Sequence, residues 1–347
     1  MVDVTVMGAG IFGLSIAWAC VQRGASVRVV DPNGPGAGAS GGTVGAMAPH
    51  TPERWEPKKD FQLDSLLMAE GFWAGVDAAS GLTSGYGRTG RLQPIADERL
   101  LALARERIAQ ADELWRGRAI WEVRPATDFG SWVPPSDTGL VIHDTLSARM
   151  DPRRACASLA AALRNSGVEI ATGATSEGAV VWATGYRGLL EMSDVFGREM
   201  GNGVKGQSVL LEFDAGPDAP QVFCKGIHFV AHDNGTLGIG STSERYFDDP
   251  QATDGQLDDL LRRAVEIMPQ LAGARVLARW AGVRPRAITR APLLGPWPGR
   301  AGHFIANGGF KIGFGMAPKV AEVMAGLVLE GADTIPPEFH VNAVLDL

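Results

Sequence analysis

The sequence predicts an α/β protein in which an N-terminal β–α–β unit is followed by a second region built on an antiparallel sheet. Valines alternate with polar residues over positions 2–6 and lead into a glycine-rich turn, which is typical of a short strand. A helical stretch over 11–23 ends before Gly24, and residues 26–30 form a second strand pattern. Between 205 and 245 the pattern changes to successive short strands, which indicates the second sheet.

The turn between the first strand and the helix has the spacing G-x-G-x-x-G. Gly8 allows the tight turn, Gly10 lets a diphosphate contact the backbone, and Gly13 lets the helix pack closely against the strand. The positive end of the helix, which starts at Ile11 and Phe12, stabilises the diphosphate. These features predict a dinucleotide site.

An acidic residue ends the second strand. Asp31 stands 18 residues after Gly13, where a carboxylate accepts hydrogen bonds from a ribose diol. Its negative charge disfavours a 2′-phosphate, so NADP is not the predicted dinucleotide. The register of strand, helix, second strand and acid favours this site, and the alternative is that the glycines serve only the turns.

A segment of small residues, 35–49, follows the β–α–β unit. An NAD domain would continue directly into another helix, whereas this segment lets the backbone follow the second half of an extended dinucleotide and pass beneath a flat ring. Its two hydroxyl residues are candidate phosphate donors. The alternative interpretation is a flexible glycine loop. The cofactor-binding residues predicted in this segment are Ser40, Gly41, Thr43, Ala46 and Met47.

This segment and three later motifs resemble, in the same order, those of the D-amino-acid oxidase family of flavoproteins, which includes glycine oxidase and monomeric sarcosine oxidase. The later motifs are V-V-W-A-T-G at 180–185, W-A-G-V-R-P at 280–285 and G-G-F-K-I-G-F-G-M-A-P at 308–318. The resemblance implies FAD as the cofactor, without a cysteinyl link because no cysteine follows Arg284. It adds to the predicted cofactor site Gly185, Gly309, Lys311, Ile312 and Gly313.

The resemblance also implies two domains, each discontinuous in sequence, with the ligand cleft between them. The FAD-binding domain is predicted over 1–85, 146–204 and 286–347, and the substrate-binding domain over 86–145 and 205–285. The chain departs from its relatives in one respect. Residues 171–178 stand where relatives hold extra strands, which leaves open how adenosine is recognised.

Arg284 lies in the G-x-R-P motif, where the resemblance places the arginine that holds the substrate carboxylate. A planar guanidinium binds both carboxylate oxygens and thereby fixes the Cα–H of the substrate. The alternative is an ordinary surface arginine, because Arg279, Arg286 and Arg290 lie close by in sequence.

Lys311 and His228 are the other predicted catalytic residues. Lys311 could pair with the substrate carboxylate or face the N1–C2=O edge of the flavin. The structural alternative is that it is a surface lysine. His228 stands where relatives carry a tyrosine on the wall of the substrate cavity, and alternation places it on one strand face with His232. A structural role is its alternative. His50 lies at the edge of the flavin segment, and His303 is predicted to be structural.

The activity that the resemblance implies is oxidation of the CH–NH bond of a small amino acid or N-substituted glycine. The carboxylate binds Arg284, a hydride passes to the flavin, and the imine product hydrolyses to an oxo acid. Oxygen or a quinone then reoxidises the flavin. Two alternatives stay open: oxidation of a 2-hydroxy acid, with His228 as its base, and a non-catalytic FAD-binding subunit.

Composition limits the other classes of function. The formal charge is −7 without a run of lysine or arginine, which disfavours nucleic acid and anionic membrane as partners. Cys20, Cys156 and Cys224 stand far apart, as expected of buried thiols in a reducing compartment, and no metal-ligand spacing occurs. No run of about 18 apolar residues predicts a membrane span. The sequence thus predicts a soluble cytoplasmic protein without a metal and leaves its oligomeric state open.

Overall fold

A computed structural model describes residues 1–346 as two large sheets with helices packed around them. The strands, numbered along the chain, are β1 Val4–Met7, β2 Val27–Val30, β3 Gly45–Met47, β4 Arg91–Pro94, β5 Trp121–Pro125, β6 Leu140–Asp144, β7 Ala148–Met150, β8 Glu169–Ala171, β9 Ala179–Trp182, β10 Gly201–Glu212, β11 Gln221–Cys224, β12 Ile227–Ala231, β13 Thr236–Gly240, β14 Val276–Ala287, β15 Leu293–Pro296 and β16 His303–Asn307. The helices are α1 Ile11–Gln22, α2 Pro57–Ser80, α3 Glu98–Leu114, α4 Pro152–Asn165, α5 Gly185–Phe196, α6 Gly255–Ile267, α7 Gly313–Glu330 and α8 Val341–Leu345.

The six-stranded sheet contains the predicted β–α–β unit. Its strand order is β15-β16-β9-β1-β2-β8, and every neighbouring pair except β15 and β16 is parallel. Helix α1 connects β1 to β2 and ends one residue before the predicted Arg23. Gly24 follows with a φ of +83°, a left-handed conformation that glycine adopts without strain. The α/β prediction is confirmed here.

The eight-stranded sheet is the predicted second sheet. Its strand order is β14-β10-β13-β12-β11-β4-β6-β5, and its neighbours pair antiparallel with one exception. Strand β11 pairs with β4 in parallel, with Val222 opposite Leu92. These two strands are far apart in sequence, so no hairpin turn sets their relative direction.

The two faces of this sheet differ in character. On the outer face Leu92, Val222 and Phe229 join an apolar core that α6 covers. The opposite face, here called the inner face, carries alternate residues of the same strands, among them His228 and Arg284. The backbone of the flavin segment packs against this inner face, because a β-carbon on Gly238 would lie 1.9 Å from the carbonyl oxygen of Thr43.

Residues 172–178 connect β8 to β9 without a strand of their own. Glu177 ties this connection to β1: its backbone carbonyl accepts a hydrogen bond from the Thr5 hydroxyl at 2.7 Å, and its carboxylate accepts one from the Val2 N–H at 3.2 Å. The connection is therefore held against β1, and β8 is an edge strand of the sheet. The mode of adenosine recognition stays open.

The three cysteines are buried and unpaired, as the sequence predicts. Among residues 1–346, no helix combines the length and the apolar character that crossing a membrane requires.

Candidate active site

The glycine-rich turn has two positions that exclude any side chain. Gly8 has a φ of +108°, and a β-carbon there would lie 2.3 Å from the carbonyl oxygen of Ala183. A β-carbon on Gly13 would lie 1.9 Å from the Gly8 carbonyl oxygen, so α1 packs directly on the turn. Gly10 is different, because only Ser40 Oγ, at 3.3 Å, lies within 4 Å of such a carbon. The space beside Gly10 is therefore open toward a ligand.

Ser40 and Asp31 are both held beside this turn. The hydroxyl oxygen of Ser40 accepts a hydrogen bond from the Ile11 N–H at 2.9 Å, at the first residue of α1. The Asp31 carboxylate accepts one from the Ala9 N–H at 2.8 Å and one from the Asn33 N–H at 2.9 Å. Both side chains thus have fixed positions at the positive end of α1, where an anionic group is stabilised.

Thr43 plays a different part from the one expected of a phosphate donor. Its buried hydroxyl donates to Ser208 Oγ at 2.8 Å, so the side chain anchors the flavin segment to β10. Beyond it, Ala46 and Met47 lie in β3, which pairs with β7. Gly41 ends a helical turn, and its carbonyl accepts a hydrogen bond from Arg153 Nε at 3.0 Å.

The C-terminal motif lies against the N-terminal turn. A β-carbon on Gly309 would be 2.9 Å from Cζ of Phe12, and one on Gly313 would be 3.5 Å from Cγ2 of Ile11. Helices α1 and α7 therefore begin side by side, and neither has an acidic residue in its first turn. Ile312 is the N-cap of α7. Two positive helix ends meet at this point.

The A-T-G motif after β9 reaches the same region. The carbonyl of Gly185 accepts a hydrogen bond from Asn307 Nδ2 at 2.9 Å, which joins the end of β9 to the end of β16. The diphosphate of FAD fits the open space beside Gly10 and the two helix ends that carry no acidic residue. The ribose of FAD fits the fixed carboxylate of Asp31. The residues named above would hold it.

Arg284 projects from the inner face of β14. Its Nη1 donates to the Thr242 carbonyl at 3.2 Å, and its Nη2 donates to Ser241 Oγ at 2.6 Å. Within residues 1–346 no carboxylate lies within 4 Å of it, and burial lowers the pKa of Arg284 to about 10 against the weaker opposing influence of Glu244. A partly buried guanidinium without its own carboxylate is available to an anionic ligand.

His228 is the second predicted catalytic residue on the inner face. Its ring packs on Phe223 with centroids 4.5 Å apart, and its Nδ1 is enclosed without a hydrogen-bond partner among residues 1–346. Burial, followed by the charges of Arg91, Lys311 and Arg284, lowers the pKa of His228 to about 3. The ring is therefore neutral across the physiological pH range.

Lys311 lies near the same group of charges. Its Nζ stands 5.7 Å from the centroid of Phe310, and burial together with the charge of Arg284 lowers the pKa of Lys311. The Phe310 N–H donates to the Pro285 carbonyl at 3.0 Å, which links the C-terminal motif to the motif that contains Arg284. The structure thus brings Lys311, Arg284 and His228 into one electrostatic neighbourhood.

The three other histidines named in the sequence analysis have partners within the fold. His50 contacts the side-chain oxygen of Gln62, and His303 accepts a hydrogen bond from Trp182 Nε1 at 3.0 Å. His232 contacts the hydroxyl of Thr236 through Nδ1 at 3.1 Å. These contacts account for the positions of all three rings.

Sequence reasoning missed two groups beside the site. Arg91, on the inner face of β4, donates from Nε to the Asp144 carboxylate at 2.9 Å, and both side chains are buried. Lys205 and Glu244 form a buried pair, with 3.7 Å between Nζ and Oε2, next to the Thr242 carbonyl that holds Arg284. A charged residue inside a predicted strand, as at Arg91, is the signal that was available.

The comparison with known proteins agrees with this geometry. The sequence model of the FAD-dependent oxidoreductase (DAO) family matches residues 3–327. Glycine oxidase of Pseudomonas putida is 27% identical, over 96% of this chain and 96% of its own length. Among solved structures, glycine oxidase from Geobacillus kaustophilus has a TM-score of 0.85 at 21% identity, over 98% of both chains. Iminodiacetate oxidase from Chelativorans sp. BNC1 has a TM-score of 0.83 at 23% identity, over 96% of this chain and 97% of that one.

At these identities the solved structures show a common fold, whereas the family match covers nearly the whole chain. It includes the glycine-rich turn, the flavin segment and the motif around Arg284. The chain belongs to the DAO family of FAD-dependent oxidoreductases, and FAD is its cofactor.

Proposed function

We propose that this protein oxidises the CH–NH bond of a small amino acid or N-substituted glycine to an imine, which hydrolyses to an oxo acid. The observation that carries the proposal is Arg284, a partly buried guanidinium with no carboxylate of its own on the face that receives the flavin segment. The names of the relatives, glycine oxidase and iminodiacetate oxidase, support an amine substrate with a carboxylate.

The residues of the site bind and orient the substrate. Bound FAD supplies the two-electron acceptor of the reaction. Arg284 holds the α-carboxylate in a planar fork, and Ser241 and the Thr242 carbonyl restrict the rotation of its guanidinium. Lys311 adds positive charge, which strengthens the binding of the anion. The fixed carboxylate determines where the Cα–H lies, which is the main contribution that this chemistry requires of the protein.

Oxidation of a 2-hydroxy acid is the alternative, and it requires a base for the hydroxyl proton. His228 is the candidate for that role, but a pKa of about 3 makes it a weak base. An amine substrate loses its proton to solvent and needs no such group. The low pKa of His228 therefore favours amine oxidation over hydroxy-acid oxidation.

Anaerobic mixing of the holoenzyme with pools of amino acids and of 2-hydroxy acids tests the proposal. We expect the flavin absorbance to bleach with the amino acids and to stay unchanged with the hydroxy acids. Bleaching by hydroxy acids alone would establish the alternative activity, and no bleaching by either pool would indicate a non-catalytic FAD-binding protein. Reoxidation of the bleached enzyme by oxygen or by a quinone then identifies the acceptor.

A further inference from the structure

The inner face of the eight-stranded sheet carries a cluster of polar side chains that the proposed reaction does not use. Arg91 and Gln93 lie on β4, Gln221 on β11 and His228 on β12, and we call these four residues the distal cluster. They share one face because Leu92, Val222 and Phe229, which alternate with them, all point into the core on the other side.

Three atoms of the distal cluster are enclosed without a hydrogen-bond partner among residues 1–346. They are Nε2 of Gln93, Oε1 of Gln221 and Nδ1 of His228. Arg91 uses only its Nε, toward Asp144, so its two Nη groups have no acceptor in the described chain. Buried polar atoms are normally paired, and a group of unpaired ones indicates a bound ligand or water.

The charge of this region is positive. Asp144 neutralises Arg91, and the other oxygen of Asp144 already accepts the Ser147 N–H at 2.8 Å. Neither Lys311 nor Arg284 has a carboxylate within 4 Å among residues 1–346, so both side chains add positive charge to the region. The ring of His228 is neutral. A cationic ligand is repelled here, and an apolar one leaves the polar atoms unpaired. A carboxylate accepts hydrogen bonds from Gln93 Nε2, from the Nη groups of Arg91 and from the protonated Nδ1 tautomer of His228, and a water molecule beside it donates to Gln221 Oε1.

The distal cluster lies in line with the α-carboxylate site. Strands β10 and β13 separate Arg284 on β14 from His228 on β12, and β11 separates His228 from Arg91 on β4. The inner-face positions between Arg284 and His228 include Gly206, Ser208 and Gly240. Thr43 and Val44 of the flavin segment cover Ser208 and Gly240. The guanidinium of Arg284 reaches Ser241 Oγ, and Ser241 directly follows Gly240, which pairs with His228. The two sites are therefore neighbours on the inner face.

We propose that the substrate carries a second carboxylate, which the distal cluster binds through Arg91 and His228 while Arg284 binds the first. The substrate class is then an aminodicarboxylic acid or an N-carboxyalkyl amino acid. This inference rests on the proposed function, because it extends the same substrate site. It makes Arg91 the specificity-determining residue, and simple amino acids such as glycine and D-alanine become poor ligands.

Equilibrium binding of acids that are not oxidised tests the inference independently of turnover. Acetate, succinate and glutarate are titrated into the oxidised holoenzyme, and binding is followed by perturbation of the flavin absorbance. We expect at least one diacid to bind tenfold or more tightly than acetate. The double variant Arg91→Met, Asp144→Asn removes one positive and one negative charge, so the net charge of the protein is kept. In this variant we expect the affinity for the diacid to fall to that for acetate and the affinity for acetate to stay unchanged.

Two further variants keep the test decisive. Arg88→Met is the matched control, since Arg88 donates to the carbonyls of Thr145 and Arg118 outside the cluster, and it leaves both affinities unchanged. If the double variant does not fold, Arg91→Lys replaces it, and we expect this variant to lose the preference for the diacid. Equal affinity of the wild type for acetate and the diacids, or equal losses for both in an Arg91 variant, overturns the inference.

Turnover separates this inference from the proposed function. The ratio of kcat/KM for D-glutamate and iminodiacetate to that for D-alanine and glycine is measured in the wild type and in the Arg91 variants. If all four compounds are oxidised with similar kcat/KM, the inference of a second carboxylate in the substrate is wrong and the proposed function stands. Tight, Arg91-dependent binding of diacids without bleaching by any amine keeps the distal cluster as an anion site and overturns the amine oxidation.

Discussion

The guanidinium of Arg284 lies directly over the backbone of Gly206: a β-carbon at position 206 would stand 2.0 Å from both Nη1 and Nη2. The two residues are on neighbouring strands, where Gly206 pairs with Gly282 and Val204 pairs with Arg284. The position of the predicted carboxylate-binding group therefore depends on a missing side chain on the adjacent strand.

Gly206→Ala is expected to displace the guanidinium and to weaken carboxylate binding by about tenfold or more, because the charge-assisted hydrogen bonds lose their alignment. The measurement is the dissociation constant of acetate, from the flavin absorbance of the holoenzyme. Gly71→Ala serves as the control, since a β-carbon on that helical glycine meets nothing within 4 Å. An unchanged affinity in Gly206→Ala would show that Arg284 does not bind the carboxylate.

Arg284→Lys keeps the positive charge and removes the planar fork. Losing a charge-assisted bond of roughly 1.5–3 kcal/mol weakens the substrate by about ten- to a hundredfold. Arg284→Ala weakens it further, and the loss is smaller for an amine that has no carboxylate. Titration of flavin bleaching with both kinds of amine gives these values. Equal losses for both amines, or loss of FAD, would assign Arg284 to the fold instead.

Substitutions at Gly13 and at Gly10 in the N-terminal turn are expected to have different effects, one on folding and the other on FAD binding. Gly13→Ala places a carbon against the Gly8 carbonyl oxygen at 1.9 Å and is expected to abolish folding, seen as insoluble protein. A β-carbon at Gly10 meets only Ser40 Oγ, and Gly10→Leu is expected to give folded, colourless protein. Circular dichroism and the flavin released on denaturation distinguish the two results. Full FAD content in Gly10→Leu would contradict the assignment of this turn to the diphosphate.

His228 makes stability depend on pH. Burial lowers its pKa from an ordinary value of 6.5 to about 3 in the folded protein, so the unfolded chain binds more protons between pH 3 and pH 6.5. Stability is therefore lost as the pH falls from 6.5 toward 3. We expect the Tm of the wild type to fall more between pH 7.5 and pH 5 than the Tm of His228→Phe. Phe223→Leu, which changes the same packing without a titratable group, is expected to keep the wild-type slope.

The interleaved domain assignment predicts that an N-terminal fragment cannot bind the cofactor. Residues 1–200 lack β16 and α7, although β16 pairs with β9 and α7 packs on α1. We expect the fragment to be insoluble or free of FAD. The measurement is the flavin content of whatever soluble protein is purified. A soluble fragment loaded with FAD would contradict the discontinuous FAD-binding domain.

The periodic pattern was sufficient to predict β1, α1 and β2, because a breaker such as Gly24 acts locally. The parallel pairing of β4 with β11 was not predictable, since two strands so far apart in sequence carry no turn signal for each other. Thr43 was expected to be a phosphate donor, and its hydroxyl instead contacts Ser208, a contact that only the tertiary fold creates.

The distal cluster shows the same limit at the candidate site. Gln93 and Gln221 are unremarkable in sequence, and only strand order brings them to one face with Arg91 and His228. The motifs around Arg284 and Lys311 were recognisable because each is a short continuous sequence that resembles a motif of the family. Groups that act through cross-strand neighbours leave no such local signature.

The contact of Gly309 with Phe12 also has a consequence for biosynthesis. The two halves of the cofactor site are about 300 residues apart in the chain, so the ribosome completes the site long after it has made the N-terminal turn. At about 5–20 residues per second, the N-terminal turn waits roughly 15–60 s for its partner. Throughout that interval the emerging chain lacks the helix that covers the apolar side of α1 in the folded protein, and exposed apolar surface of this kind promotes aggregation.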